Sequence, residues 1–301
     1  VEKLLAAHPR HFFGLLNKCV ILGRLKRFAE AEAVARAALQ LAPQDGEAKF
    51  LLANSLWKQE KGGEESEKLV TEVLATRPNH AEAAILAGRI LCRKGDPLQA
   101  VMLLTQAMQA TPSAKLASAL ADAYLMLGDL EAAISGYVEA AQREPDSLLY
   151  RQSLLFTINY DPQLSAEQVI GEYRAFGRLL TEDSPPPFVH ATPRDISGRR
   201  VRIGFVSPDF RNHACAYFLH PLFRHLDRSQ FEIYAYANVS APDAETTRFR
   251  QVFDHWIDIA PLGDGEAAAR IRADDLDILF DLAGHTTGER LRVMAMKPAP
   301  I

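Results

Sequence analysis

A proline recurs at nearly constant spacing through the first half of the chain. The series Pro9, Pro43, Pro78, Pro112 and Pro145 is separated by 34, 35, 34 and 33 residues. Because proline has no backbone N–H to donate to the preceding turn, each one predicts the end of one helix and the start of a new unit. A period near 34 residues is typical of tetratricopeptide repeats, in which every unit is a pair of helices.

Small side chains occupy three matching positions in each unit, which lets paired helices approach closely. These residues are Cys19, Ala53, Gly88 and Ala121, then Ala31, Ser66, Ala100 and Ala133, then Ala38, Val73, Ala107 and Ala140. Glycines such as Gly95 and Gly128 are predicted to separate the two helices of a unit. A plain helical bundle is the alternative, but four units in register favour the repeat. Stacked repeats form a superhelix whose groove often holds extended peptides.

Composition excludes several other classes of protein. The net charge of −4 argues against a general nucleic-acid binder, which normally presents a basic face. Three widely separated cysteines (Cys19, Cys92 and Cys215) form neither a disulfide framework nor paired zinc ligands, so we expect reduced thiols. No apolar run reaches the roughly 20 residues that a membrane helix needs. With no signal pattern at the N-terminus either, we expect a cytoplasmic location and no membrane partner.

The repeat period is lost after residue 147. The pattern remains helical to about Leu180, and Ser165 with Gln168 resembles a capping box. A run of three prolines at 185–187 then predicts a stiff extended segment. We therefore divide the chain into a tetratricopeptide array (1–147), a helical adaptor with a proline-rich linker (148–198), and a third part (199–301) with a different pattern.

Strand and helix patterns alternate in this third part. The predicted strands are 201–206, 231–236, 255–259 and 276–282, and the predicted helices are 216–226, 244–252, 266–273 and about 288–297. Such alternation predicts a parallel sheet with right-handed crossovers. A sheet of four parallel strands would leave an open edge beyond the fourth, which proteins normally cover, so we expect the fold to continue past Ile301.

Ligands of such sheets bind beyond the carboxyl ends of the strands, where two polar loops are predicted. Residues 207–213 follow the first strand and residues 283–288 follow the fourth. Each loop carries a histidine and leads into a helix, whose free N–H groups and positive dipole end suit phosphate. No G-x-G-x-x-G follows the first strand, so the common dinucleotide fingerprint is absent.

His213 is the first candidate for a general acid or base, because only histidine has an unperturbed pKa near neutrality. A capping or surface role is the alternative. Around His285, the small residues Gly284, Thr286 and Gly288 would let backbone approach a ligand, or they simply form a tight turn. Asp281 would orient a histidine or cap the following turn. No role is assigned to the remaining histidines of this region, His220, His225 and His255.

The same loops resemble a known family. Residues 207–213 resemble the segment S-x-D-F-x-x-H of the O-linked N-acetylglucosamine transferases and SPINDLY proteins. Residues 282–288 resemble their loop N-G-Y-T-x-G, with His285 where the animal enzymes have tyrosine. Residues 297–301 match their R-P-A-P-I segment, and residues 159–162 resemble the adaptor of bacterial homologues. The order of repeats, adaptor and transferase is also that of the family.

This resemblance implies an all-α tetratricopeptide superhelix followed by an α/β Rossmann-like lobe, the first half of a two-lobed GT-B type glycosyltransferase. It implies transfer of N-acetylglucosamine from UDP-N-acetylglucosamine to serine or threonine of proteins, with inversion and with neither a cofactor nor a catalytic metal. His213 falls on the family's proposed catalytic base or positioning histidine. The implied donor- or substrate-binding residues are Asp209, Asn212, Gly284, His285 and Thr286.

The implied partners are a protein acceptor along the repeat groove and a nucleotide-sugar. Animal members carry a ladder of asparagines in that groove, but only Asn17 stands at a matching position here, where Leu51, Leu86 and Leu120 complete the series. The second lobe is absent from this sequence, and we expect the chain to be inactive without it. Transferases of the same build that use GDP-fucose or UDP-glucose, and a non-enzymatic binding scaffold, remain as alternatives.

Overall fold

The chain divides into two compact units, Val1–Asp161 and Pro162–Ile301. The computed structural model describes residues 1–60, 62–182, 184–190 and 195–301. Residues 183 and 191–194 of the predicted linker lie outside the described residues. The predicted adaptor is shared between the two units, because the boundary at Asp161 falls between its two helices.

The first unit consists of helices throughout its described residues. They are α1 (Glu2–Ala7), α2 (Phe12–Arg24), α3 (Phe28–Leu41), α4 (Gly46–Lys58), α5 (Gly63–Thr76), α6 (Ala81–Arg93), α7 (Pro97–Ala110), α8 (Ala114–Leu127), α9 (Leu130–Arg143) and α10 (Leu148–Ile158). Helices α2 to α9 pack as four successive pairs, as the repeat predicts. The prediction of a tetratricopeptide array is thereby confirmed.

The recurring proline marks each unit because a helix cap follows it. The Asp45 side chain, two residues after its proline, accepts a hydrogen bond from the Ala48 N–H at 2.8 Å. His80 does the same through Nδ1 for the Ala83 N–H at 3.2 Å. These caps satisfy N–H groups that have no partner inside the helix. Ser147 stands at the corresponding place two residues after Pro145 and is the N-cap residue of α10, but its side chain makes no capping hydrogen bond.

The small residues stand where neighbouring helices touch. A Cβ placed on Gly88 would lie 2.7 Å from Leu104 Cδ1, and one placed on Gly136 would lie 2.9 Å from Ala121 Cβ. Where a unit has serine in place of alanine, the hydroxyl is satisfied: Ser66 Oγ donates to the Ala53 carbonyl at 2.9 Å. Small residues at these positions therefore let neighbouring helices, or a large side chain such as Leu104, pack closely.

The second unit begins with a long helix and continues as a sheet with flanking helices. Its elements are α11 (Ala166–Glu182), β1 (Val201–Ser207), α12 (Ala216–His225), β2 (Phe231–Ala237), α13 (Ala244–Arg250), β3 (His255–Asp258), α14 (Asp264–Ala273), β4 (Ile278–Asp281) and α15 (Leu291–Ala295). All strand pairs are parallel, in the order β3-β2-β1-β4. The predicted strands, helices and parallel sheet are confirmed.

Side chains from β1 and β2 enter two cores, because successive residues of a strand point to opposite faces. Ile203 and Phe205 pack with α12 and α13 on one face. Val206 and Tyr236 pack with α14 and α15 on the other. Gly204 is tightly enclosed, since a Cβ there would lie 2.4 Å from Leu276 Cδ1. The sheet is therefore covered on both faces, as parallel sheets are. Among the described residues, no helix has the length and apolarity to cross a membrane.

Candidate functional site

The strand order brings the two predicted loops to one place. The chain runs from β1 outward through β2 to β3, then returns to place β4 on the other side of β1. Val206 near the end of β1 pairs with Asp281 at the end of β4. The loops after these two strands therefore leave the sheet at its topological switch point, where open α/β sheets form a crevice for ligands.

A direct contact joins the two loops. Gly288 has φ +86°, and a Cβ placed on it would lie 2.8 Å from Pro208 Cβ. The Gly288 carbonyl also accepts a hydrogen bond from Asn238 Nδ2 at 2.8 Å, which ties it to the end of β2. Glycine is thus required here both by the left-handed backbone and by the space available.

The loop after β1 is held in place by the packing of Phe210 and by a hydrogen bond from Asn212 to Asp243. Phe210 is fully buried among aromatic rings of α12 and α13. The backbone N–H of Asn212 donates to Asp243 Oδ2 at 2.8 Å, while Asp243 Oδ1 accepts the N–H of Thr246 and caps α13. These N–H groups, that of Asn212 foremost, hold the pKa of Asp243 below its ordinary value. One carboxylate therefore positions the loop and starts a helix.

Asp209 and His213 face each other in this loop. Asp209 is buried, and its Oδ2 lies 3.7 Å from Nδ1 of the partly exposed His213. The same Nδ1 accepts the N–H of Cys215 at 3.3 Å. Because a backbone N–H only donates, the neutral ring then carries its proton on Nε2. If the ring turned so that Nδ1 faced Asp209, the tautomer protonated on Nδ1 would be favoured: Nε2 would release its proton to solvent, Nδ1 would gain one, and Nε2 would have the lone pair that a general base requires.

The loop after β4 is organised by Asp281. Its carboxylate accepts the N–H groups of Gly284 at 2.7 Å and Ala283 at 3.2 Å, and so caps the turn rather than orienting a histidine. Burial raises the pKa of Asp281 in spite of these hydrogen bonds. Gly284 has φ +57°, and nothing lies within 4 Å of the place a Cβ would take. Thr286 Oγ1 donates to the Ala283 carbonyl at 2.9 Å and closes the turn.

His285 packs against α11. Its ring makes edge contacts with Tyr173 and Phe176, both at centroid distances of 5.1 Å. Burial lowers the pKa of His285, which keeps the ring neutral. Its Nδ1 is buried and finds no hydrogen-bond partner among the residues that the structure describes. The structure therefore shows His285 as the point where α11 holds the loop, and its binding of the donor stays a prediction.

The expected phosphate site at the start of α12 is not free in this structure. The N–H groups of Ala216 and Tyr217 donate to the carbonyls of His213 and Ala214. A tight turn at 213–216 leads into the helix and uses these groups, so the prediction that they are open to an anion is wrong. The second loop leads into α15, which has only five residues.

Three residues that sequence reasoning missed complete the framework. Arg290 donates to Asp264 Oδ1 at 2.7 Å, to Asn238 Oδ1 at 3.0 Å and to two backbone carbonyls between β3 and α14. Asn238 in turn holds Gly288. Only Asp243 carried a local signal, since aspartate three residues before Thr246 forms a capping box. Arg290 and Asn238 act across the sheet, which no local pattern reveals.

Two clefts open on the repeat array. One has a volume of 560 Å³, and the other of 350 Å³; Phe50, Asn54 and Glu82 line both. Leu51 and Leu86, at the places of the family's asparagines, are largely buried and line the floor of one cleft each. Among the described residues that line these clefts, Asn54 is the one asparagine. Apolar, amide and charged groups along one surface are suited to an extended peptide.

The comparisons with known proteins agree with this architecture. Residues 179–301 match the family described as Glycosyl transferase family 41. Residues 16–64, 50–115 and 85–147 match the tetratricopeptide repeat. The repeats and the start of a glycosyltransferase lobe are both present, and the resemblance to the O-linked N-acetylglucosamine transferases is confirmed.

Individual relatives cover the chain in part. The probable UDP-N-acetylglucosamine–peptide N-acetylglucosaminyltransferase SPINDLY of Oryza sativa is 31% identical over 172 residues, 56% of this chain and 18% of that protein. The corresponding transferase of Caenorhabditis elegans is 36% identical over 121 residues, 38% of this chain and 10% of that protein. A mutant O-GlcNAc transferase of Thermobaculum terrenum superposes with a TM-score of 0.72 at 29% identity, over 85% of this chain and 49% of that one. The chain thus spans about a fifth of the rice relative.

Proposed function

We propose that this chain is the repeat array and first lobe of an inverting protein O-glycosyltransferase that transfers N-acetylglucosamine from UDP-N-acetylglucosamine to serine or threonine. One observation carries the proposal: the loops bearing His213 and Gly284–Thr286 meet at the switch point of a parallel sheet. This happens within the segment that matches glycosyl transferase family 41. The names of the relatives support the same donor and the same class of acceptor.

In the proposed reaction the acceptor hydroxyl oxygen attacks the anomeric carbon of the sugar. The bond from that carbon to the diphosphate oxygen breaks, and UDP leaves with the electron pair. The hydroxyl proton passes to Nε2 of His213, whose lone pair becomes available when Nδ1–H turns to Asp209. The charge that develops on the diphosphate needs preorganised donors, which we expect mostly in the second lobe. The reaction requires no cofactor and no metal.

Each loop residue has a part in this proposal. Asp209 sets the tautomer of His213, and Asn212, whose backbone is held by Asp243, contributes an exposed amide side chain that can bind substrate. Gly284 leaves open space above the turn, so the donor can approach the backbone there. The hydroxyl of Thr286 keeps its lone pairs for the donor. His285 supports the turn from beneath through α11.

We assign the acceptor to the repeat array. Its two clefts share Phe50 and Asn54, which offer an apolar contact and an amide that can pair with peptide backbone. No nucleic-acid or membrane partner enters the proposal. A cytoplasmic location also stays a prediction.

The test is turnover by the full-length protein with a UDP-sugar and a peptide acceptor. We expect His213→Ala to keep the fold and to lower kcat by about 10²–10⁴-fold, the usual range for a general base. His225→Ala, an exposed histidine on α12, is the matched control and should leave turnover unchanged. Unchanged turnover in His213→Ala would remove this histidine from the mechanism.

Calorimetry of full-length protein with UDP and with GDP tests the donor. We expect binding heat with UDP and little with GDP. The reverse result would favour a fucosyltransferase of the same build, and a UDP-glucose preference in turnover would favour a glucosyltransferase.

A non-enzymatic scaffold is the second candidate, and the clefts of the array support it because they do not depend on the lobe. Negligible heats with both nucleotides, together with retained peptide binding, would establish the scaffold instead of the enzyme.

A further inference from the structure

Three side chains able to bind a metal ion meet between β1 and α12. They belong to Asp209, His213 and Cys215, and their ligand atoms all lie within 4.8 Å of one another. Among the residues that the structure describes, no other group of three or more potential metal ligands lies this close together. The sequence did not predict it, because the spacing D-x₃-H-x-C resembles no paired zinc motif.

The distances are close to those of a zinc site. Zinc bonds nitrogen and oxygen at about 2.0–2.2 Å and sulfur at about 2.3 Å, so tetrahedral ligands lie roughly 3.3–3.7 Å apart. Asp209 Oδ2 and His213 Nδ1 already lie 3.7 Å apart. The Cys215 thiol needs to approach by at most about an ångström, which rotation about its χ1 can supply.

The first two ligands are also in the chemical form that a metal requires. Asp209 is only 6% exposed, and its backbone N–H donates to Ser207 Oγ at 3.0 Å, so burial and a held backbone restrict the positions open to its carboxylate. His213 Nδ1 accepts the Cys215 N–H at 3.3 Å, so this nitrogen carries the lone pair that a metal would bind in exchange for that hydrogen bond. Arg211 approaches the other carboxylate oxygen only to 3.9 Å and leaves Oδ2 available.

Cys215 differs from the other two cysteines. Cys19 is buried, and its Sγ donates to the Ala31 carbonyl at 3.3 Å. Cys92 stands on α6 in the other unit, outside the ligand cluster. Only Cys215 among the three joins a carboxylate and an imidazole, and a bound metal would deprotonate its thiol.

We propose that Asp209, His213 and Cys215 bind Zn²⁺ through three protein ligands, and that this ion inhibits the transferase because a metal on Nδ1 of His213 leaves the ring proton on Nε2, the nitrogen that accepts the hydroxyl proton in the proposed reaction. Binding exchanges the thiol proton for the metal, and the released proton goes to solvent. A fourth, open position is left for water, as in other three-ligand zinc sites. The site goes beyond the proposed reaction, which needs no metal, and makes it sensitive to one.

Cobalt absorption tests the site without reference to activity. Co²⁺ is added to the full chain under a phosphine reductant, and the thiolate-to-cobalt charge-transfer band is recorded, with Zn²⁺ as competitor. We expect the band in the unmodified protein and in Cys92→Ser, its loss in Cys215→Ser, and its displacement by Zn²⁺. A band of equal intensity in Cys215→Ser would overturn the proposal. His213→Ala should weaken cobalt binding at least about 10-fold.

Inhibition is tested on the full-length enzyme. Cys215→Ser should keep the basal turnover, since Cys215 has no part in the proposed reaction, and should need at least about 10-fold more Zn²⁺ for half inhibition. Equal inhibition of Cys215→Ser and the unmodified enzyme would overturn the inhibitory role. If neither protein transfers sugar, the proposed function fails, and the cobalt spectra still decide whether the site binds metal.

Discussion

Asp243 shows how one side chain carries both stability and site geometry. Its two carboxylate oxygens accept different backbone N–H groups, one from Thr246 in its own helix and one from Asn212 in the loop after β1. Asparagine is an equally good helix cap in general, but it has a single carbonyl oxygen. Substitution by asparagine therefore keeps an acceptor for one of these two N–H groups and removes the acceptor of the other.

We expect Asp243→Asn to lower the thermal midpoint of the second unit by a few degrees at neutral pH, because one N–H loses its acceptor. The pKa of Asp243 is lowered by folding, so its contribution is fully present above the unfolded value of about 3.9. It is lost as the pH falls through the lower folded pKa. The midpoint difference between Asp243→Asn and the unmodified protein should thus shrink below about pH 4.

The midpoint is followed by the fluorescence of Trp256, in a Trp57→Phe background so that only the second unit reports. Asp258→Asn is the control, because Asp258 of the same unit accepts a single backbone N–H, that of Ala260 at 3.0 Å, which the asparagine carbonyl oxygen can also accept. A difference that stays constant from pH 7 to pH 3 would contradict the assignment.

Alanine substitutions at the two loop glycines, Gly284 and Gly288, are predicted to lower the free energy of unfolding by different amounts. Gly284→Ala should destabilise by about 1–2 kcal/mol, the price of a left-handed backbone alone. Gly288→Ala should cost at least about 1 kcal/mol more, because its Cβ would also clash with Pro208. Urea unfolding followed at Trp256 measures both. Equal losses would mean that the loops separate easily and that their contact is not a fixed part of the site.

At the scale of elements, the array depends on helix backbones that approach closely. Gly136→Ala would place a Cβ 2.9 Å from Ala121 Cβ and 3.2 Å from the Ala117 carbonyl oxygen. Because backbone cannot move aside cheaply, we expect a loss of about 1–3 kcal/mol. Gly23→Ala is the control: nothing lies within 4 Å of its Cβ position, and helix propensity favours alanine by up to about 1 kcal/mol. Circular dichroism at 222 nm during urea unfolding compares them, and a loss in both variants would contradict the packing argument.

Elements were largely predictable from the sequence because their signals are local. The prolines gave the helix starts, since the capping residues Asp45 and His80 follow them by two positions. The apolar run 201–206 gave β1 almost to the residue. The place of β4 beside β1 was not predictable, because it is decided by packing between segments far apart in the chain. The same holds for the site: the sequence identified both loops, but not Arg290 or the contact of His285 with α11.

At the scale of the molecule, the boundary at Asp161 assigns α10 to the array. Tyr150, Leu155 and Ile158 of this helix are at most 5% exposed, and Tyr150 packs against Ala140 and Ala141 of α9. In repeat proteins a terminal helix that covers the last apolar surface acts as a cap. This helix is therefore part of what stabilises the repeats.

A fragment of residues 1–161 should fold on its own and melt cooperatively. A fragment of residues 1–147 should melt at least about 5 °C lower, because α9 loses its apolar cover. Far-ultraviolet circular dichroism measures both midpoints. Identical midpoints would show that α10 adds nothing to the array and belongs functionally with the lobe.

The contact between Pro208 and Gly288 has a consequence for the growing polypeptide. Contacts within the array join neighbouring helices, so its pairs can form one after another as they leave the ribosome. The two loops are 80 positions apart, and their contact requires β4 to have docked beside β1. A nascent chain would therefore complete the clefts of the array before the two loops meet, and premature termination between these points would release a folded array without the loop contact.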